Sequence, residues 1–254
     1  KDIIMFKFNV LVSAILFAGI SSFSGAATES AQSQTYETER SDIRVGGTEF
    51  ARGPHGGKVG DPGIGHRSIA GGKTISLLGL TKMGTKTDED VTIVNSGGPS
   101  SHSNMGKFQF AKVADAEVYY GDWSQTGAAD DAKHTAFFSG LDATTAVPTE
   151  GKATYTIAGI NQYDGEKKLA GVFEADFGDK DYTGSLQGED LKIALEGKIH
   201  DAGSFSGQAI ANDTVSGMSY GRFFGENAEH VGGVAVFNSD HQYDTAFAGS
   251  QTEE

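Results

Sequence analysis

The 254-residue sequence contains no cysteine. Such a chain has neither a disulfide framework nor the lipid-accepting cysteine that follows the signal peptide of a bacterial lipoprotein. Proline is scarce as well, with 4 residues against 36 glycines, and this balance favours closely packed strands with tight turns over long helices. We therefore predict an all-β protein.

Positive charge is also in short supply. The chain has 20 lysine and arginine residues against 34 aspartates and glutamates, for a formal net charge of −14 and a pI near 4.8. Association with nucleic acid or with anionic membranes depends on basic surface and on counterion release. We therefore predict no nucleic-acid partner.

Common catalytic motifs are missing too. The sequence has no HExxH and no phosphate-cradling GxxxxGK. Residues 217–221, Gly-Met-Ser-Tyr-Gly, match the G-x-S-x-G pattern, but a nucleophile elbow needs a strand-to-helix turn and these residues fall within a predicted strand. The chain is therefore predicted not to be an enzyme.

One long apolar run is present, at residues 6–23. It is flanked by Lys1 and Lys7 and leads into four small residues at 24–27. This arrangement is typical of a secretory signal peptide. Polar residues interrupt the run, so a permanent membrane span fits less well. We predict that residues 1–27 are removed on export.

Residues 28–145 are predicted to form an N-terminal domain. Residues 28–41 contain almost nothing apolar, which predicts a mobile tail. Residues 44–72 hold ten glycines and are predicted to be a long loop, and a second polar loop is predicted at 95–106. Strands are predicted at residues 74–80, 90–94, 107–113, 116–123 and 134–138.

Residues 146–254 are predicted to form a second domain, in which apolar and polar positions alternate. Residues 169–177 and 191–199 each place every second residue, apolar or glycine, on one face. Turn-forming stretches separate these segments at residues 163–166, 178–181, 187–190 and 201–203. An antiparallel meander has exposed edges unless it closes, so we predict a small antiparallel β-barrel.

Two stretches of this second domain resemble known barrels. GRFFGENAEHVGGV at residues 221–234, with AFAG at 246–249, resembles the end of the barrels in transferrin-binding protein B and factor H binding protein. KATYTIAG at 152–159 resembles an opening strand. With the glycine- and histidine-bearing N-terminal domain, the whole pattern is most similar to the hemophilin family of secreted haem-binding proteins.

The resemblance implies a fold, a ligand and an export route. The fold is an N-terminal β-rich handle domain that holds haem between loops, followed by an eight-stranded antiparallel barrel. The ligand is haem b, iron protoporphyrin IX. The protein is then a monomeric extracellular hemophore of a Gram-negative bacterium. It crosses the periplasm, leaves through a translocator of the surface lipoprotein assembly modulator type, and delivers haem to an outer-membrane haem receptor.

Haem capture needs an axial ligand, most often a neutral imidazole. His102 is the first candidate, because it lies in a glycine-rich loop where small neighbours let a flat macrocycle approach. His66 and then His55 are candidates for the opposite ligand, and Met105 is a less favoured thioether alternative. The simpler interpretation makes each of them a solvated loop histidine.

Other residues suit the rest of the macrocycle. Cations for the propionates are Arg52, Lys58, Arg67 and Lys73, although such charges are usually only solvated. Aromatic candidates for stacking are Tyr119, Tyr120 and Trp123, although strand aromatics are more often core. His134 is predicted to be structural, and the surface is predicted for His200, His230 and His241.

A second function stays open at this point. The barrel motif is shared with proteins that bind transferrin or factor H, so the chain is alternatively a host-protein-binding surface module of that type. A Soret absorption band distinguishes the two functions, since only a haem protein shows one.

Overall fold

The computed structural model describes residues 27–95, 104–128 and 130–252. These residues form a six-stranded sheet, a three-stranded sheet and a closed barrel of eight antiparallel strands. The predicted all-β fold with a C-terminal eight-stranded barrel is confirmed. In this described part of the chain, no helix has the length and apolar character needed to cross a membrane.

The described residues of the N-terminal half form nine strands and a short α-helix. The strands are β1 (Glu29–Gln32), β2 (Ile43–Gly47), β3 (Pro62–His66), β4 (Ile75–Ser76), β5 (Thr85–Lys86), β6 (Thr92–Asn95), β7 (Lys107–Lys112), β8 (Val118–Ser124) and β9 (Thr135–Gly140). The larger sheet has the order β1-β9-β8-β7-β6-β5, and the smaller one has the order β2-β3-β4. Helix α1 (Leu77–Thr81) follows β4 directly.

The tail predicted at residues 28–41 is instead part of the larger sheet. Strand β1 pairs antiparallel with β9, and Glu29 lies opposite Gly140. Gln34 is buried, and its amide donates to the carbonyls of Ala132 and His134 at 2.9 and 2.7 Å. The mobile-tail prediction was wrong because this segment is fixed by hydrogen bonds rather than by apolar contacts.

The loop predicted at residues 44–72 instead contains strand β3 and most of β2, two of the three strands of the smaller sheet. A Cβ on Gly65 would lie 2.5 Å from the carbonyl oxygen of Gly72, and one on Gly63 would lie 2.9 Å from that of Ile75. These glycines therefore allow close backbone packing rather than a loop. The strand predicted at 74–80 also ends early, because the Ser76 side chain accepts the Gly79 N–H and starts α1.

The barrel consists of β10 to β17. They are β10 (Lys152–Ile160), β11 (Leu169–Asp176), β12 (Asp181–Gln187), β13 (Lys192–Ile199), β14 (Ser204–Ala211), β15 (Val215–Phe224), β16 (His230–Val236) and β17 (Thr245–Gln251). Pairing of β10 with β17 closes it. Its interior is filled with aromatic side chains, such as Phe173 and Tyr182, whose ring centroids are 5.0 Å apart. The barrel is thus a packed core.

A shared hydrophobic core joins the two halves. Tyr120 and Phe138 of the larger sheet pack with Phe224 and Val234 of the barrel. The rings of Phe138 and Phe224 meet edge to face at 6.2 Å. The larger sheet is therefore fixed on the barrel, and its other face is left for the smaller sheet.

The G-x-S-x-G match lies inside the barrel wall, as predicted. Ser219 is on β15, fully buried, and its hydroxyl donates to the Gln208 carbonyl at 2.9 Å and lies 2.6 Å from the Tyr182 hydroxyl. The segment continues as a strand after Ser219 and makes no strand-to-helix turn. This serine has a structural role.

Candidate functional site

The candidate histidines occupy different positions in the N-terminal half. His66 ends β3 and is only 5% exposed, so it is a buried strand residue and not a solvated loop histidine. His55 ends a 3-10 helix, Gly53–His55, and is half-buried. His102 lies outside the described residues, and its role stays a prediction.

His66 faces an aromatic cluster on the larger sheet. Its ring centroid is 5.6 Å from that of Trp123 and 6.4 Å from that of Phe108. The indole N–H of Trp123 donates to the Met105 carbonyl at 2.7 Å, and Met105 packs against the same cluster. The chain therefore passes beside the His66 cluster only three residues after His102.

The two ring nitrogens of His66 have different surroundings. Nδ1 lies 2.8 Å from the Ser68 hydroxyl and accepts the Ser68 backbone N–H at 3.2 Å. Nε2 is buried and has no hydrogen bond of ordinary geometry among the described residues, although the Gln125 side chain approaches the ring. A buried polar atom without a partner is uncommon and costly, which makes Nε2 a candidate ligand atom.

Burial also decides the charge of this imidazole. Desolvation lowers the pKa of His66, and the negative charge of Asp42 and the approach of the Gln125 side chain only partly oppose the shift. The ring is therefore neutral at physiological pH. Neutral imidazole is the form that coordinates a metal.

Arg67 is already engaged in an ion-pair network beside His66. Its guanidinium lies 2.9 Å from Asp42, whose other oxygen is 2.8 Å from the Lys133 ammonium. The same guanidinium sits 4.7 Å from the centroid of the Tyr36 ring. The charges of Arg67 and Lys133 both contribute to the low pKa of His66, so an anionic group at His66 would meet two cations and one carboxylate.

Tyr120 is not brought to this cluster. Alternate residues of a strand face opposite sides, so Tyr119 and Trp123 of β8 face the His66 side. Tyr120 faces the barrel and is buried in the core shared by the two halves. Burial raises the pKa of Tyr120. Of the three aromatic residues predicted for stacking, Trp123 is the one whose ring contacts His66.

A second group of candidates surrounds His55. The loop at residues 49–60 lies over β4 and α1, since the Phe50 N–H donates to the Thr74 carbonyl at 2.9 Å and the His55 backbone packs against Gly79. This region exposes four large apolar side chains, with exposed fractions of 40% for Phe50, 76% for Val59, 38% for Leu78 and 50% for Met83.

The same region is locally basic. Residues 43–86 contain seven lysines and arginines but two acidic residues, although the whole chain carries a net charge of −14. Within the described part of the chain, no carboxylate forms an ion pair with Arg52, Lys58, Lys73 or Lys82. An exposed surface that is both cationic and apolar suits an anionic amphiphile. The whole-chain charge hid this feature, which a local charge count of the sequence would have found.

The two candidate ligands that the structure describes, His66 and His55, lie at different places around the smaller sheet. Gly57, two residues after His55, packs against Ser76, which is paired with Gly63 on β3. His66 lies three residues further along β3, about 10 Å away at the usual rise of a strand. Each of the two histidines is a separate candidate for the ligand opposite His102.

Two family models match the chain, one in each half. The HphA N-terminal heme-binding domain family matches residues 15–135, and the HphA C-terminal domain family matches residues 145–251. The chain belongs to the HphA family. The predicted resemblance to hemophilins is confirmed, and the HphA heme-binding domain contains both His55 and His66.

One curated relative of this HphA-family chain is an uncharacterized protein of Haemophilus influenzae. It is 36% identical over 80 residues, which is 31% of this chain and 27% of that protein. The matched part therefore spans about a quarter of the relative's length.

Solved structures share the two-part fold. The apo haemoglobin receptor HpuA from Kingella denitrificans matches with a TM-score of 0.56 and 14% identity, over 92% of this chain and 89% of that one. Transferrin-binding protein B of isotype 1 from serogroup B Neisseria meningitidis matches with 0.54 and 18%, over 89% and 44%. At these identities the likeness shows the fold alone. The N-terminal family match is to a heme-binding domain.

Proposed function

We propose that this protein is a secreted hemophore that binds haem b in its N-terminal domain and passes it to an outer-membrane receptor. The observation that carries the proposal is His66, a buried neutral imidazole with an unpartnered Nε2 among the described residues, inside a domain of the heme-binding family. In the tautomer with the proton on Nδ1, this nitrogen has a lone pair that can ligate iron.

His66 is the ligand that the described contacts favour. The Ser68 backbone N–H donates to Nδ1, so the proton of the neutral ring lies on Nε2 in this structure. Coordination through Nε2 requires that proton to move to Nδ1, where the Ser68 hydroxyl at 2.8 Å can accept it. His102 is the proposed opposite ligand, because Met105 returns the chain to the His66 cluster. Trp123 and Phe108 supply apolar contact, and Arg67 and Lys133 supply positive charge for a propionate.

His55 offers the alternative arrangement. Phe50 and Leu78 provide exposed apolar surface for a macrocycle in the same region, and Arg52 and Lys58 provide cations for propionates that form no ion pair with any described residue. In this arrangement His55 and His102 ligate the iron. The two arrangements are distinguished by the single substitution that abolishes coordination, which is at His66 in the first and at His55 in the second.

A haemin titration of the mature chain, followed by the Soret band, tests the proposal. We expect saturation at one haem per chain. His66→Ala and His102→Ala should each change the Soret spectrum and weaken binding at least about tenfold, equal to 1.4 kcal/mol. His200→Ala is the matched control, since His200 is an exposed barrel histidine. An effect of His55→Ala in place of His66→Ala selects the alternative arrangement, and no saturable Soret change refutes haem binding.

Export and delivery are further parts of the proposal. The barrel, which matches the HphA C-terminal domain, is proposed to engage a translocator of the surface lipoprotein assembly modulator type. The product is a monomer released to the extracellular medium. Expression of the full sequence with and without such a translocator, followed by immunoblotting of the culture supernatant, tests this step, and translocator-independent release contradicts it.

Host-protein binding is the second candidate function. The exposed side chains of Phe50, Val59 and Met83 favour it, because exposed apolar surface marks many protein interfaces. Immobilised human haemoglobin tests it, together with haem-free globin as a control. Binding to both without a Soret change in the eluted chain supports host-protein binding alone, whereas haem transfer to the chain supports the hemophore.

A further inference from the structure

A fully buried histidine lies at the junction between the two halves. His134 immediately precedes β9, and its Nε2 is 3.0 Å from an oxygen of Asp122, which is 2% exposed. Its Nδ1 is 2.8 Å from the backbone carbonyl oxygen of His241. Carboxylates and carbonyls accept hydrogen bonds, so both ring nitrogens must donate. Two donating nitrogens define the charged imidazolium.

The partners of His134 come from both halves of the molecule. Asp122 is on β8 of the larger sheet, whereas His241 begins a 3-10 helix, His241–Tyr243, that precedes β17 of the barrel. Asp122 also accepts the backbone N–H of Gln162 from the connection between β10 and β11. Two barrel connections are thus tied to one buried pair.

The neighbours of this pair reach the other face of the sheet. Asp122 faces the barrel, and the next residue, Trp123, faces His66. Lys133 pairs with Asp42, and the Thr135 hydroxyl donates to that of Ser41 at 2.9 Å. Asp122 and His134 are therefore sequence neighbours of residues whose contacts border His66.

We propose that the His134 imidazolium and the Asp122 carboxylate form a buried ion pair that holds the larger sheet on the barrel and positions Trp123 against His66. His134 and Asp122 are positioning residues and do not touch the ligand. The part of the proposal that concerns haem rests on the proposed function, whereas the ion pair itself does not.

The charges around His134 set the direction of its pH dependence. Burial lowers the pKa of His134, but hydrogen bonding to Asp122 and its charge, then the His241 carbonyl and the charge of Asp244, outweigh burial and raise the pKa above the usual 6.5. Asp244 is itself buried, and its carboxylate lies 2.9 Å from the His241 ring.

A raised pKa stabilises the fold on the acid side of the transition. The contribution is complete below pH 6.5, where the unfolded histidine is also protonated, and is lost as the pH rises through the raised value. Above it, one ring nitrogen becomes an acceptor that faces an oxygen. The junction is therefore expected to weaken at alkaline pH.

The charge state is tested on the unaltered chain by imidazole ¹⁵N NMR between pH 5.5 and 9.5. We expect His134 to keep both nitrogens protonated at pH 7 and to titrate above pH 6.5, with the signals assigned by their absence in His134→Gln. A neutral His134 at pH 7, or a titration at or below 6.5, overturns the ion pair. This measurement does not depend on the folding of any variant.

The positioning role is tested through Trp123, which is the only tryptophan in the sequence. Its fluorescence should change between pH 7 and pH 9.5 in the unaltered chain and not in His134→Gln. The haem dissociation constant should rise about tenfold in His134→Gln and in Asp122→Asn, with no further rise in the double variant. His200→Gln, at an exposed barrel histidine, is the control.

The outcomes separate the two proposals. Failure of the unaltered chain to bind haem contradicts the proposed function. NMR and Trp123 fluorescence then still test the ion pair of His134 and Asp122. Haem affinity and Trp123 emission that are unchanged in both junction variants overturn the positioning role, even when haem binds normally.

Discussion

The interior of the barrel and the surroundings of His66 differ in how completely their buried side chains are satisfied. In the barrel, Phe173 alone makes ring contacts with five neighbouring aromatic residues, and the interior is filled. In the N-terminal half, the described residues leave the buried Nε2 of His66 without a hydrogen bond and expose apolar side chains such as Val59. The filled interior of the barrel favours stability, whereas the site that we propose for the ligand lies in the N-terminal half.

The two regions also differ in charge. Residues 146–254 contain 18 acidic and 7 basic residues, whereas residues 43–86 contain 2 acidic and 7 basic ones. Surface ion pairs such as Lys198 with Asp181 balance part of the barrel's charge and contribute little to stability. Positive charge is thus concentrated on the side of the molecule that holds His55 and His66.

The largest effect on stability is expected from a substitution in the barrel interior. Phe173→Ala removes a fully buried ring at the centre of the aromatic cluster and should lower the free energy of unfolding by about 3–5 kcal/mol. Denaturant unfolding followed by circular dichroism measures it. Val172→Ala is the control, because Val172 is 43% exposed on the barrel surface. Similar losses for both variants would mean that the barrel interior is not the source of stability.

A change at His66 should separate stability from binding. His66→Leu replaces a buried imidazole that lacks a partner on Nε2 by an apolar side chain, so the free energy of unfolding should stay constant or rise by about 1 kcal/mol. Haem affinity should fall at least tenfold. Denaturant unfolding and haemin titration measure the two quantities, and a large loss of stability would show that His66 is a structural residue instead.

The sequence predicted the barrel better than the N-terminal half, for a physical reason. Each barrel strand buries one face, so residues such as Phe173 and Leu195 reveal it by simple alternation. Gly63 and Gly65 of β3 give no such pattern, because their purpose is close approach of the backbone. Gln34 is buried by hydrogen bonds to other segments, which no local pattern reveals.

The candidate site was only partly predictable. Histidine as the ligand type pointed to His66, but its burial depends on Trp123 and Phe108, more than forty residues later in the chain. Alternation along β8 predicts that Tyr120 and Trp123 face opposite sides, but not which side carries His66. Which of Tyr120 and Trp123 faces His66 depends on which face of the larger sheet packs on the barrel.

Asp42→Asn tests the ion pairs of the N-terminal half through their pH dependence. Asp42 is 13% exposed and its pKa is lowered by hydrogen bonds and charges from Lys133 and Arg67, against the opposing effect of burial. A lowered pKa stabilises the fold above pH 3.8, and this stability is lost as the pH falls through the folded value. Asp42→Asn should therefore cost about 1–2 kcal/mol at pH 7.

The pH dependence of this variant provides its control. In denaturant unfolding, the difference between Asp42→Asn and the unaltered chain should shrink as the pH is lowered below 3.8, because the native carboxylate is then progressively protonated. A difference that is constant from pH 7 to pH 3 would assign the effect to packing rather than to charge.

The smallest expected effect tests whether the local basic surface matters for haem. Lys58 is exposed and lies beside Val59 in the loop that carries His55, whereas Lys198 is exposed on the barrel. Lys58→Gln should weaken haem binding about two- to fivefold at low ionic strength, and the difference should largely vanish in 0.5 M salt because solvent screens exposed charges. Lys198→Gln should leave affinity unchanged in haemin titrations. If Lys198→Gln weakens binding as much as Lys58→Gln, the relevant quantity is the charge of the whole protein, and the contrast between the basic segment and the acidic barrel has no part in haem capture.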